Sequence, residues 1–86
     1  KLSKHVGILH ERGKFTVEFL HVKYIWRSQS YLFVAKDSDN SLIKFFSSQS
    51  GIKKGDTADI TGYVKDHTMG KQSGGPETYL NRVKFV

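Results

Sequence analysis

The stretch "KFTVEFLHVKYIW", residues 14–26, decides how the rest of the chain is read. Phe15, Val17 and Phe19 alternate with polar neighbours, the period of a strand with one face buried. The alternation then changes phase and continues on Leu20, Val22 and Tyr24. A slip of this kind inside a strand predicts a bulge or a strong bend. Phe, Thr, Val, Tyr, Ile and Trp dominate the stretch, which favours a pleated strand over a helix. One long, bent strand is therefore expected here.

On its N-terminal side, Lys1 to Arg12 is polar and basic, with Val6, Ile8 and Leu9 as apolar exceptions. It reads equally as a short strand, a helical turn or an arm, and residues 1–13 are carried as a candidate arm. On the other side, "RSQS" (Arg27 to Ser30) is a polar connection. "YLFVAK" (Tyr31 to Lys36) and "LIKFF" (Leu42 to Phe46) then form a hairpin across "DSDNS", whose Asp, Asn and Ser side chains favour turns. "SSQSGIKKGD" (Ser47 to Asp56) is too polar for a strand and has room for one helical turn before Gly55-Asp56 redirects the chain. "ADITGYV" (Ala58 to Val64) is a fourth strand, in which Gly62 calls for a bulge or a close backbone approach. A polar loop, His67 to Pro76, leads to a fifth strand, "ETYLNRVKFV", Glu77 to Val86.

Five strands with a long bent first one predict an all-β fold, a closed or nearly closed barrel, because an open sheet would leave edges to protect. The order fits a five-stranded OB barrel, whose extra element lies between strands three and four, where Ser47 to Asp56 falls. An SH3-like barrel is the runner-up and has no need of so long a fourth connection. The whole chain, 86 residues, reads as one small domain.

Composition narrows the function. Fourteen Lys and Arg stand against eight Asp and Glu, a net charge of +6. Such a surface attracts phosphates, and binding releases their counterions. With no cysteine, disulfide scaffolds and thiolate metal sites are excluded. No apolar run approaches the ~20 residues of a membrane-spanning helix. The chain opens on Lys1 with no visible signal peptide, which suggests a segment of a longer or processed protein.

The hairpin gives a sharper expectation. If Lys36 pairs with Ser41, Val34 lies opposite Ile43 and Leu32 opposite Phe45, forming a core face. The outer face then carries Tyr31 opposite Phe46, Phe33 opposite Lys44, and Ala35 opposite Leu42. A one-residue slip would instead put Lys44 opposite Val34. Aromatics beside cations suit single strands, since bases stack on rings while cations track phosphates. In an OB barrel, strands two and three form such a platform, framed by the first and fourth connections. Here those connections carry Arg27, His67 and Lys71.

"KKGDTADITGYVKDH", then Gly74 and Gly75, then "ETYLNRVKFV", resembles the OB-fold modules of bacteriophage replication proteins, which occur beside helicase-like or primase-like domains. The positions carrying the pattern are Gly55, Asp56, Gly62, Val64, Lys65, His67, Thr78, Leu80, Arg82, Val83 and Lys84. Two departures stand out: the hairpin turn has Asn40 where glycine is expected, and "SGGPE" lengthens the fourth connection. The resemblance implies single-stranded nucleic-acid binding, DNA foremost, inside a replication or repair protein. It also implies a cytoplasmic setting, that of a bacterial host for a phage protein.

Catalysis finds little footing. Ser47 and Ser48 lack a nucleophile elbow, and His5, His10, His21 and His67 are scattered without ligand spacing. Asp37 and Asp39 lack the glutamate of a calcium loop, and "GIKKG" precedes a strand rather than a helix. The expected function is non-catalytic binding with no metal or cofactor. Tyr31, Phe33 and Phe46 are to stack bases, and Lys44, Lys65, Lys71 and Arg82 to meet phosphates. Trp26, Arg27 and His67 stand at the platform's edge, with closing the core as the alternative for Trp26. The alternative is a protein-docking module in a replication enzyme, using the same aromatic patch.

Overall fold

The phase slip in the first strand is a β-bulge. In the computed structural model, which describes residues 8–38, 40–69 and 76–86, β1 spans Arg12–Ile25 and β2 spans Ser30–Lys36. Their antiparallel register runs Glu18↔Lys36 and Phe19↔Ala35, then His21↔Val34, so the extra residue is Leu20. The remaining strands are β3 (Leu42–Ser47), β4 (Thr57–Met69) and β5 (Pro76–Phe85). The first half of β1 pairs with β4, from Arg12↔Tyr63 to Glu18↔Thr57, and the second half with β2. With β3 and β5 parallel, the strand order β1-β2-β3-β5-β4 closes on itself into a five-stranded, OB-like barrel.

The turn that ends the third connection locks this closure. Gly55 N–H donates to Phe19 C=O and Phe19 N–H to Asp56 C=O, both at 2.8 Å. Asp56 folds the turn on itself, accepting from Lys53 N–H on its carboxylate (2.9 Å) and donating its own N–H to Lys53 C=O (3.0 Å). Gly55 takes φ +92°, a value open to glycine. No helix forms among the described residues: Gly51 and Gly55, both at positive φ, interrupt the segment that had room for a helical turn.

The hairpin register differs by one residue from the simplest pairing. Lys36 pairs with Leu42, Val34 with Lys44 and Phe33 with Phe45. The cause is a turn one residue longer, spanning Asp37 to Ser41. Asp37 N–H donates to Ser41 C=O (3.1 Å), and Ser41 N–H returns to the Asp37 carboxylate (2.9 Å). Asn40 takes the left-handed conformation (φ 63°) that glycine would otherwise fill. The slip exchanges the faces of β2. Phe33 and Ala35 go into the core with Ile43 and Phe45, while Leu32 and Val34 turn outward.

The core is an aromatic quartet drawn from four strands. Phe19, Phe33, Phe45 and Phe85 touch pairwise at centroid separations of 5.0–6.2 Å. Val17, Ile60, Val64 and Leu80 complete the filling. Gly62 permits β4 and β5 to meet closely: a Cβ there would lie 3.0 Å from Val83 Cγ2 and 3.2 Å from Leu80 Cδ1. Opposite it, β5 bulges at Arg82, where the register passes from Thr61↔Lys84 to Tyr63↔Asn81.

Gly62→Ala is therefore predicted to destabilise the barrel by about 1–3 kcal/mol through overpacking. Phe33→Ala should cost about 3–5 kcal/mol by leaving a cavity. Urea denaturation followed by circular dichroism checks both, and a wild-type midpoint for either variant would contradict this packing.

Candidate nucleic-acid interface

The outer face is built by rows of side chains that cross the strands. One row runs Lys23↔Leu32↔Phe46 across β1, β2 and β3. The next runs His21↔Val34↔Lys44↔Tyr79↔Asp66, reaching β5 and β4. Phe46 is 55% exposed, so its ring is offered to solvent rather than packed inward. Leu32 and Val34 beside it are half-buried, giving an apolar floor.

The β1–β2 connection stands at the Phe46 end of this face, since Tyr31 pairs with both Tyr24 and Ser47. It is a tight loop: Ser28 N–H donates to Ile25 C=O and Gln29 N–H to Trp26 C=O, with Gln29 left-handed at φ 52°. The loop projects Trp26, 74% exposed, and Arg27. Trp26 does not close the core. The β4–β5 connection leaves from the opposite end, where Thr68 pairs with Glu77 and Glu77 with Leu42.

Lys44 points outward as expected but is already engaged. Its ammonium lies 2.9 Å from a carboxylate oxygen of the buried Glu77 and 6.0 Å from the centre of the Tyr79 ring. Where the β3–β5 ladder ends, beyond Phe45↔Leu80, a groove of about 260 Å³ opens between Phe46 and the β4–β5 pair. Lys65, Asp66, Tyr79, Leu80 and Asn81 complete its lining. Lys65 reaches it because it is itself bulged, between Val64↔Leu80 and Asp66↔Tyr79.

The structure thus places Lys44, Phe46 and Lys65 on one outer face, with the exposed Trp26 and Arg27 in the loop at its Phe46 end. Phe33 is corrected: it is fully buried, because the five-residue turn rotates it inward, and no base can reach its ring. Tyr31 sits on the same inward side, half-buried at the barrel's end, with its ring edge-on to Tyr24 at 5.1 Å. His67 is half-buried opposite Thr78. Lys71 lies outside the described residues, as do residues 1–7 of the candidate arm. The described part of that arm runs along β4, with His10 N–H donating to Val64 C=O. Arg82 stands apart from the platform, beside Tyr63 and Asn81.

Sequence reasoning missed Tyr79 and Lys23. Tyr79 alternates in phase with Val83 and Phe85, which pack on the core, so it reads as inward. The Arg82 bulge reverses that phase and turns Tyr79 out. A signal existed: Thr78 and Leu80, then Val83 and Phe85, repeat the phase slip of β1.

No family model, curated protein or solved structure matches the chain. Among the described residues no group of three His, Asp or Glu could hold a metal ion, and no helix is long and apolar enough to cross a membrane.

Arg82 adopts φ 51°, a conformation that costs a side-chain-bearing residue about 1–2 kcal/mol. Its N–H donates to the Asn81 side-chain amide oxygen, Oδ1, at 3.0 Å. Arg82→Gly is predicted to match or exceed wild-type stability, by up to about 1 kcal/mol, and Arg82→Val to lose about 1–2 kcal/mol. Thermal or urea melts check this, and a glycine variant less stable than the valine variant would contradict it.

Proposed function

We propose that this protein is a non-catalytic module that binds single-stranded nucleic acid, DNA foremost, as part of a replication or repair protein. The observation that carries the reading is the exposure of Phe46 and Trp26 at one end of a barrel face edged by Lys23, Lys65 and Arg27. Exposed aromatic rings lose free energy to water that a packed partner would recover, and bases are flat partners of any sequence. The neighbouring cations suit a phosphate backbone running past the rings.

The roles follow from the positions. Phe46 and Trp26 stack bases, and Tyr79 adds an aromatic wall to the groove beyond them. Lys65, Lys23 and Arg27 meet phosphates. Lys44 contributes less charge than its position suggests, because Glu77 offsets it. Leu32 and Val34 form the floor on which a sugar or base edge rests. The resemblance to phage replication modules supports the same assignment and would place the module beside other replication proteins in a bacterial cytoplasm.

Trp26 is the single tryptophan, so its fluorescence reports directly on stacking. Titration with an oligothymidylate is predicted to quench it. Affinity should fall with salt at a log–log slope of roughly −2 for three phosphate contacts. Phe46→Ala is predicted to weaken binding by about 1–3 kcal/mol. Absence of quenching and of binding at low salt, or a Phe46→Ala variant that binds as wild type, would overturn the assignment. Salt-insensitive capture of a protein partner with no oligonucleotide affinity would favour a docking module instead.

A further inference from the structure

We propose that a bound single strand does not stop at the platform but continues around the barrel, over β5 and β4, to a second stacking station at Tyr63. This rests on the reading of the outer face as a single-strand platform and extends it to the side of the barrel away from β2.

The register supplies the path. The row Lys23↔Leu32↔Phe46 reaches the end of the β3–β5 ladder, where Phe46 and Asn81 line the same groove of about 260 Å³. From Asn81 the row resumes, Asn81↔Tyr63 across β5 and β4 and Tyr63↔Arg12 across β4 and β1. A second concavity, about 300 Å³, is lined by Tyr63, Asn81 and Arg82. Asn81 therefore joins the two hollows into one belt that crosses the strands.

The belt's chemistry repeats that of the platform. Tyr63 is half-buried, and the His10 ring lies nearly parallel to it, 18° between planes at 6.3 Å. Two aromatic rings thus stand together here, where the first groove has Phe46 and Tyr79 in its lining. Arg12 and Arg82, both exposed, flank them. Arg12 is steadied by donating from Nη2 to Thr61 Oγ1 at 2.9 Å. Arg82 is held outward by its left-handed backbone. The cations of the belt are Lys23, Lys65, Arg12 and Arg82, against Asp66 in the first groove and Glu11 beside Arg12. That balance suits a polyanion. From Phe46 to Tyr63 the row advances by two strand spacings, about 10 Å before the groove's width is added. A longer oligonucleotide fills both stations, while the shortest engage the platform.

The test is a ladder of oligothymidylates from about four to about twelve nucleotides, the range of site sizes seen for single barrels. Binding is followed by Trp26 fluorescence in the wild type, Phe46→Ala, Tyr63→Thr and Arg82→Gly. Wild-type affinity is expected to climb with length and then level off. Tyr63→Thr and Arg82→Gly should match the wild type on the shortest oligonucleotide and level off earlier, at affinities about fivefold or more lower. Arg82→Gly guards against loss of folding, since glycine suits that backbone. If both variants follow the wild type along the whole ladder while Phe46→Ala weakens every length, the belt is overturned and the platform stands. If Phe46→Ala binds as wild type, or nothing binds, the platform itself is overturned and the belt with it.

Discussion

The backbone of Phe19 is bonded on both sides to one turn, through its N–H to Asp56 and through its C=O to Gly55. Its ring is buried against Phe33, Phe45 and Phe85. β1 leaves β4 at Glu18, the residue before, and its pairing with β2, begun at Glu18 and Phe19, continues past the bulged Leu20. A flat strand cannot serve both neighbours in a closed five-stranded sheet, so the bend at Leu20 and the clamp on Phe19 are conditions of closure. Each aromatic contact of the quartet adds about 0.5–1.5 kcal/mol beyond burial. The outer face depends on the same clamp: beyond the bulge, His21 and Lys23 face outward, and Lys23 begins the row that ends at Phe46.

Three bulges shape the surface as well as the barrel. Leu20 turns the second half of β1 toward β2. Lys65 and Arg82, on β4 and β5, sit on either side of the point where the β3–β5 ladder ends. Parallel β3 and β5 diverge there, and the groove between Phe46 and Asn81 opens from that divergence. The concavity is thus a consequence of strand geometry, with no helix required to build it. Lys65 reaches it because, as a bulged residue, it swings out of the pleat.

Much of this was legible in the residues alone. The change from Phe15-Val17-Phe19 to Leu20-Val22-Tyr24 located the first bulge, and Gly62 marked the close approach of β4 and β5. The Gly55-Asp56 turn was legible as well. The hairpin register was not, because "DSDNS" closes four residues or five with equal chemistry, and only the long turn lets Phe33 meet Phe45. That single residue moved Phe33 from the candidate platform to the core. The Arg82 bulge is illegible for a related reason: a left-handed arginine leaves no glycine to mark it, so Tyr79 reads as inward. Phe46 needed no register, since it alternates in phase with the outward Lys44, whereas the groove that it shares with Lys65 emerged only from the pairing.

The central claim is that the outer face of β2, β3 and β5 is the surface that meets a nucleic acid, and amide chemical-shift mapping tests it most directly. On addition of a single-stranded oligonucleotide, the largest shifts are predicted at Trp26, Arg27, Leu32, Phe46 and Tyr79. Glu18, Thr57 and Asp59, across the barrel on the β1–β4 ladder, should stay in place. Shifts concentrated on Glu18 and Asp59 with none at Phe46 or Trp26 would contradict the account.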